Sequence, residues 1–395
     1  MGMYSRRLSR TSAFLKAFKT NRNAFHLIFI TTWMMGIPIA RVHIRSDLLL
    51  NIFVKIWCFG LLIVKSVSRL ITFANLYKIL PDFVSQFSFY FFNILSLITE
   101  TIFIMKRHEI SSAIKSMIDI SAKISPGTYV GSKTIYIEVL IMAVSVISIL
   151  ALLVIFFFFQ EWDYYLNIVY TPFPEKHSIY THIVLSLGVF IQIFSVAINF
   201  ISIIFCYSSF IATGDMLNGY AKTIQELKSH DPDPIIRSLR MFQKISDCVK
   251  SIDAAFNVSA FFIFGTVVGN IFASVSVMCS ETKFFHTPVA RIFVALTLLS
   301  GMIAIFVLTS AGNTVSIGMQ HVKEALVQCS EKMTRRPPNV VRSFCLLSDS
   351  IRDSSLVVTG CGMFTINKPL MLTVGGMVIT YSFLLFQLNG NPIST

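Results

Sequence analysis

The sequence predicts an all-α, polytopic membrane protein with seven transmembrane helices, a cytoplasmic amino terminus and an extracellular carboxyl terminus. Hydrophobic residues make up 54% and charged residues 13% of its 395 residues, whereas about a quarter of the residues in a soluble domain are charged. The apolar residues form blocks long enough for helices to cross a bilayer, which takes about 20 residues. The basic residues are concentrated in alternate loops, as in multi-pass membrane proteins.

Seven apolar blocks are predicted to cross the membrane. An eighth block, 24–40, contains His26 and the helix-breaking pair Gly36 and Pro38, so we expect it to lie against, or dip into, the inner leaflet. No cleaved signal peptide is expected, because the basic stretch is long and no small-residue cleavage site follows the apolar run. The predicted spans are 48–73, 83–105, 134–159, 182–211, 256–279, 289–311 and 370–388.

The orientation follows from the positive charges. Most of the 33 Lys and Arg residues lie in one set of alternate loops, and the other set contains only Lys78, Lys176 and Lys283. Because cytoplasmic loops carry the basic excess, the amino terminus is predicted inside and the carboxyl terminus outside. This topology is opposite to that of a G-protein-coupled receptor. It also accounts for the net charge of +13, so nucleic acid is not an expected partner.

The predicted outer loops are short, whereas the inner segments are long and rich in helix-forming residues. Such long helices projecting from the inner side of a membrane need a packing partner, and another subunit is the simplest one. Four regions are expected: 1–46, a cytoplasmic terminus with a membrane-associated helix; 47–334, spans one to six with cytoplasmic extensions; 335–369, a cytoplasmic anchor helix; and 370–395, a pore-lining last span with a short extracellular tail. Inner helices are predicted over 105–123, 213–229, 237–255, 316–332 and 340–358.

The last predicted span carries a polar stripe. Thr373, Thr380 and Gln387 are spaced by seven residues, nearly two helical turns, and therefore lie on one face with Met377 and Leu384. Such a row either lines water or forms hydrogen bonds between helices. As a pore, it predicts rings of hydroxyls and amides and weak discrimination among cations, because the span has no acidic residue. The candidate pore residues are Thr373, Thr380, Leu384, Gln387 and Leu388, with Leu384 or Leu388 closing the pore by dewetting.

The carboxyl-terminal sequence resembles the signature of arthropod gustatory receptors. Their last span reads Thr-Tyr, about five apolar residues, then Gln-Phe; Thr380, Tyr381 and Gln387 fit this spacing, whereas Leu388 stands where Phe is usual. The preceding run, 362–370, is similar as well. Two further segments resemble features of this family: the early Gly-Ile-Pro at 36–38 and the Val-Lys-Glu-Ala at 322–325.

The resemblance implies a ligand-gated, non-selective cation channel in the plasma membrane. Four last spans would surround one pore in a homotetramer or heterotetramer, and the cytoplasmic extensions of the fourth to seventh helices would form a shared anchor. Each subunit would hold a ligand pocket in the outer half of its bundle. The implied partners are a small-molecule tastant, permeating cations, membrane lipid and other subunits. Insect odorant receptors share this architecture and remain a neighbouring alternative.

Polar and aromatic residues in the predicted outer halves of the spans are candidates for the ligand pocket. Polar groups in hydrocarbon are costly unless paired, so each either lines a cavity or forms hydrogen bonds between helices. Many apolar aromatic residues lie nearby, which favours an amphipathic or non-sugar ligand. The candidates are Gln86, Tyr90, Asn93, Phe156, Gln192, Asn270 and Thr297.

Other functional classes fit less well. A secondary transporter is the less favoured alternative, because the number of spans is odd, no repeat is evident, and Glu100 and Glu138 lie near predicted cytoplasmic ends. We find no motif of an enzyme and no Cys or His spacing typical of a metal site, so catalytic residues, metals and cofactors are not expected. Among the seven cysteines, Cys279 alone approaches the oxidising side, which argues against an extracellular disulfide.

Overall fold

The computed structural model describes residues 83–124, 179–227, 232–279, 288–333 and 336–390, with a few isolated positions between 56 and 67. Within these residues the structure is almost entirely helical, as predicted, apart from one small two-stranded sheet. The predicted segments 24–40, 48–73 and 134–159 lie outside the described residues or touch them only at the isolated positions. The elements are α1 (Phe83–Met105), α2 (Arg107–Ile124), α3 (Ile179–Gln225), α4 (Pro232–Cys279), α5 (Pro288–Met333), α6 (Pro338–Arg352), β1 (Thr359–Gly360), β2 (Phe364–Thr365) and α7 (Lys368–Gly390).

Three described helices contain stretches long and apolar enough to cross a membrane. These stretches are Asn199–Gln225 in α3, Pro232–Ser276 in α4 and Val294–Glu331 in α5. Shorter apolar stretches lie in α1, at Ile94–Met105, and in α7, at Lys368–Leu384. The predicted second, fourth, fifth, sixth and seventh spans thus all fall within helices.

The three longest helices continue well beyond a membrane thickness. α3, α4 and α5 contain 47, 48 and 46 residues, which at about 1.5 Å per residue gives roughly 70 Å each. The hydrocarbon core is only about 30 Å thick. The prediction that 237–255 and 316–332 continue the fifth and sixth spans as unbroken helices is therefore confirmed.

The helical extensions pack against each other within one chain. The amphipathic helix α2 buries Ile110, Ile114 and Met117, and α6 buries a stripe spaced by four, three and four residues. Between α3 and α4, the ring of Tyr220 stacks on Phe242 with 5.9 Å between centroids. α2 and α6 thus cover part of these extensions within the same chain, and packing against another subunit stays a prediction. The buried stripe of α6 is Val340, Phe344, Leu347 and Ile351.

Glycines allow α3 and α5 to approach closely along their extensions. A Cβ atom at Gly214 of α3 would lie 2.7 Å from the Thr314 hydroxyl oxygen and 2.9 Å from the Thr314 carbonyl carbon. On the facing helix, a Cβ at Gly318 would lie 2.9 Å from the Cβ of Leu217. Backbone-to-backbone packing of this kind needs residues without side chains, so these two glycines set the α3–α5 separation.

The sixth helix ends six residues before the end of the predicted 340–358 helix, and a small β-hairpin follows at 359–365. α6 ends at Arg352, and the antiparallel strands β1 and β2 pair Thr359 with Thr365 and Gly360 with Phe364. The turn between them contains Cys361 at φ 53° and Gly362 at φ 69°, a left-handed conformation that glycine adopts without strain. The helix prediction is therefore confirmed over 340–352 and wrong over 353–358, where the chain runs without regular structure into the hairpin.

Substitution of Gly214 by Ala is expected to lower the free energy of unfolding by about 1–3 kcal/mol, since overpacking forces backbone or side-chain shifts. Thermal unfolding of the purified protein in detergent measures this. Gly265→Ala is the matched control, because its new Cβ would meet only Leu95 side-chain atoms at 3.4 Å and beyond. Equal changes in the two variants would contradict the role of close packing at Gly214.

Candidate functional site: the last helix and its supports

The last helix, α7, packs against the rest of the chain along one narrow face. Val374 is buried, and Leu370, Met371 and Val378 are partly buried against the hydrophobic core. These positions recur every three or four residues, as one face of a helix does. The neighbouring row is apolar and exposed: Leu372 and Ile379 are each 72% exposed in the single chain. A single subunit therefore leaves most of the surface of α7 uncovered.

The predicted polar stripe lies on the uncovered part of α7. Thr373, Met377, Thr380, Leu384 and Gln387 are all exposed in the single chain. At 100° per residue, the stripe is rotated by about 100° from the packed face around Val374. The structure thus places four of the five candidate pore residues on one open surface. The side chain of the fifth, Leu388, lies outside the described residues.

The two threonine hydroxyls of the stripe donate hydrogen bonds within their own helix. Thr373 donates to the carbonyl oxygen of Pro369 at 3.2 Å, and Thr380 donates to that of Gly376 at 2.9 Å. Such bonds to the carbonyl four residues earlier are common for Thr in membrane helices. They occupy the hydroxyl protons and leave the oxygen lone pairs as acceptors.

Tyr381, the aromatic residue of the Thr-Tyr motif, faces the bundle. Its ring lies 4.6 Å from that of Phe272 of α4, at an interplanar angle of 57°. The motif therefore contains residues with two different environments: Thr380 and Gln387 are exposed, whereas Tyr381 is half-buried against α4. The sequence did not assign Tyr381 a contact, although its one-residue offset from the polar stripe places it on another face.

The amino-terminal end of α7 is fixed by the β-hairpin, which the sequence did not predict. The Asp253 carboxylate of α4 accepts hydrogen bonds from the Thr359 backbone N–H at 2.6 Å and from the Thr359 hydroxyl at 3.1 Å. One turn further along α4, the Asn257 carbonyl accepts a bond from the Cys361 N–H at 3.1 Å. The ring of Phe364 then packs on Phe261 and Phe264 with centroids 6.1 and 5.8 Å away.

Only two residues separate this hairpin from α7. Ile366 is buried, and its carbonyl oxygen lies so close to Gly312 of α5 that no Cβ fits there. Asn367 caps the helix: its side-chain oxygen accepts a bond from the Leu370 N–H at 3.3 Å, and its amide donates to Thr365 at 3.0 Å. The hairpin and the first turn of α7 thus form one hydrogen-bonded unit.

The structure describes the side chains of two of the seven candidate ligand residues. Gln86, Tyr90 and Asn93 lie in α1 and Gln192 in α3, but their side chains, like all of Phe156, lie outside the described residues. Asn270 of α4 and Thr297 of α5 are half-buried. Their helices face each other at this level, because a Cβ at Gly301 would lie 2.8 Å from Ile271. The structure therefore places two of the seven candidates on adjoining helices.

The contact between Phe272 and Tyr381 is expected to hold α7 against α4. A double-mutant cycle with Phe272→Ala and Tyr381→Ala should give a coupling of about 1 kcal/mol in thermal unfolding, since aromatic pairs contribute this beyond burial. Tyr381→Phe is the control, because it keeps the ring and removes only the hydroxyl. Strictly additive single-mutant effects would show that the rings do not support each other.

Comparison with known proteins places these elements in a family. The sequence profile described as 7tm Chemosensory receptor matches residues 106–388. The structure is similar to that of the insect olfactory receptor OR5 from Machilis hrabei, both in complex with eugenol and in a second structure of the same receptor. In each case the TM-score is 0.76 and the identity 14%, and the match covers 94% of this chain and 99% of the other. No curated protein matches the chain.

At that identity the structural likeness shows the fold alone, whereas the profile carries the family assignment. The matched residues run from the start of α2 to the end of α7 and make up well over half of the chain. The assignment confirms the predictions of a membrane-embedded receptor for small molecules and of a protein that is not an enzyme. The chain therefore belongs to the family of 7tm chemosensory receptors.

Proposed function

We propose that the protein is a subunit of a ligand-gated, non-selective cation channel of the gustatory-receptor type. It acts in the plasma membrane as a homotetramer or heterotetramer, with the amino terminus inside and the carboxyl terminus outside after seven spans. Four α7 helices surround one pore. The observation that carries the proposal is the polar stripe from Thr373 to Gln387, which one subunit leaves uncovered.

The exposed amide of Gln387 makes this polar row costly if it faces lipid. Polar side chains in membrane helices turn toward the bundle interior, a partner or a water-filled cavity. Within the described residues, the packed face of α7 lies elsewhere, so its own bundle does not cover the stripe. A central pore formed by several copies of α7 places the stripe in water and covers the exposed apolar row of Leu372, Ile379 and Phe383 with neighbouring subunits or lipid.

The chemistry of the stripe favours weak selectivity. Hydroxyl oxygens and amides coordinate partly hydrated cations without the strong field of a carboxylate ring. No acidic residue occurs between Lys368 and Gly390. In the proposed channel Gln387 forms the ring nearest the outer end, while Leu384 or Leu388 closes the path by dewetting.

The proposed ligand is a small amphipathic or non-sugar tastant bound in the outer half of each subunit. Asn270 and Thr297 support this location, since they lie half-buried on facing helices. Gln86, Tyr90, Asn93, Phe156 and Gln192 remain predicted members of the same pocket. A panel in which only sugars evoke current would reject this ligand class.

The odorant-receptor type is the second candidate. It is supported by the fold shared with the insect olfactory receptor OR5, whose structure contains eugenol. The Thr380–Tyr381 pair followed by Gln387 favours the gustatory type, because this spacing resembles the gustatory signature. If volatile ligands evoke current at lower concentrations than any non-volatile tastant, the odorant type is supported over the gustatory type.

Gln387→Ala is expected to change the relative permeability of Na⁺ and K⁺, or the affinity of a pore blocker, by about twofold or more, because it removes a ring of amides from the pore. Whole-cell currents under bi-ionic conditions, evoked by a panel of tastants, measure this. Ser382→Ala is the matched control: it lies about 200° around the helix from Thr380, and its hydroxyl donates to the Val378 carbonyl of its own helix at 2.7 Å.

Equal changes in both variants would show that α7 responds to any substitution and does not line the pore at Gln387. If surface-expressed protein carries no current with any ligand, imaging of the purified particle follows. Fourfold symmetry there keeps the channel proposal, whereas a monomer rejects it.

The proposed orientation predicts that a tag after Thr395 is labelled by antibody on intact cells, whereas a tag before Met1 is labelled only after permeabilisation. The cause is the excess of Lys and Arg in the predicted cytoplasmic segments. Flow cytometry of cells that express either tagged protein, at equal expression, measures this. Labelling of both tags on intact cells would require an even number of spans and would overturn the topology.

A further inference from the structure

Asp253 is a charged side chain placed where it controls the inner end of the last helix. It lies on α4, three residues before the predicted fifth span, and is half-buried. Its carboxylate accepts both the backbone and the hydroxyl hydrogen bonds of Thr359, whose hydroxyl oxygen in turn accepts the Gly362 N–H at 3.3 Å. Hydrogen bonds to a charged acceptor are about twice as strong as neutral ones. One side chain thus organises the first strand and the turn of the hairpin.

The hydrogen bonds continue from Asp253 to the start of α7. Thr359 pairs with Thr365 in the hairpin, and the Ile366 N–H donates to the Val358 carbonyl at 3.0 Å. The Asn367 amide donates to Thr365, and the Asn367 side-chain oxygen caps the Leu370 N–H. Each residue from 358 to 367 either forms one of these hydrogen bonds or lies within two positions of a residue that does. No flexible linker therefore interrupts the chain of bonds.

The same turn of α4 also holds the junction between α1 and α2. The Lys106 ammonium donates to the Ala254 carbonyl at 2.6 Å and lies 3.8 Å from the Glu109 carboxylate. Residues 253 and 254 therefore contact two parts of the chain that are far apart in sequence: the α1–α2 corner and the hairpin before α7. A shift of this turn relative to either part must break or strain these bonds.

We propose that Asp253 is a positioning residue: by fastening the hairpin to α4 it fixes the inner end of α7 and thereby sets the balance between closed and open pore. The effect on the pore rests on the proposed channel function, whereas the effect on the position of α7 does not. Asp253 touches neither the ligand nor the permeating ion. It acts through Thr359, the hairpin and Asn367 on the helix that carries the polar stripe.

Hydrogen exchange measures the position of α7 without any ligand. In the full-length protein in lipid nanodiscs, Asp253→Ala is expected to speed amide exchange of residues 359–370 by about tenfold, because the carboxylate protects these bonds. Thr359→Val should give a smaller increase, since it keeps the backbone donor, and Thr359→Ser should behave as the wild type. Asp247→Ala is the matched control, an exposed carboxylate on the same helix. Unchanged exchange in Asp253→Ala would overturn the proposal.

Ion flux measures the effect on the pore. Thallium influx into liposomes that contain the purified protein is followed without ligand and with eugenol as the probe. Asp253→Ala is expected to raise the ligand-free flux about tenfold, since a released inner end lets α7 leave the closed position, and Asp247→Ala should leave it unchanged. Faster exchange with unaltered flux would show that Asp253 is only structural. A wild-type protein silent in both conditions would count against the channel, and hydrogen exchange alone would then decide whether Asp253 positions α7.

Discussion

The position of the last helix depends on two contacts with α4, because α7 touches its own bundle along one narrow face only. The hairpin fixes the amino-terminal end of α7 through Asp253, and the Tyr381 ring packs on Phe272. Thirteen residues separate Lys368 from Tyr381, about 20 Å along a helix. Two fixed points at that distance define the tilt of a stiff helix. A displacement at one of them turns α7 about the other and moves the whole polar stripe.

All of these contacts start from one face of α4. Its residues that hold the hairpin and Tyr381 lie within about 100° of one another around the helix, given 100° per residue. α4 also packs on α1, where Gly265 meets Leu95, and on α5, where Ile271 meets Gly301. α4 therefore joins α1 to α7, and α5 contacts both α4 and α7. The α4 residues facing the hairpin and α7 are Asp253, Asn257, Phe261, Phe264 and Phe272.

Much of this architecture could be predicted from the sequence, because its signals are local. Apolar blocks of membrane length predicted five of the described helices, and amphipathic runs such as 237–255 predicted their continuation as helices. The spacing of seven between Thr373, Thr380 and Gln387 gave the stripe. Each of these sequence patterns lies within a single helix, so it can be recognised without knowing which other segments that helix contacts.

The features that the sequence did not predict, such as the hairpin and its bonds to α4, depend on contacts between segments far apart in the sequence. Each hairpin strand contains two residues, too few for an alternation of period two to show. The glycines at 360 and 362 are the local signal of a turn there, but nothing local pairs Thr359 with Asp253, which lies 106 positions earlier. Likewise, the apolar stripe of α6 indicates that one face is buried without showing which segment covers it.

The stripe residues differ in how strongly they require water. The hydroxyl protons of Thr373 and Thr380 are bonded to carbonyl oxygens of α7 itself, so these residues cost little in hydrocarbon. Gln387 carries an amide with two donors and two acceptor lone pairs, and its side chain is exposed in the single chain. Nineteen residues after Lys368, it lies about 28 Å along the helix, close to the full thickness of the hydrocarbon core of about 30 Å. Among the described stripe residues, Gln387 thus has the chemistry that most needs water or another subunit, at the depth where the proposed pore opens to the outside.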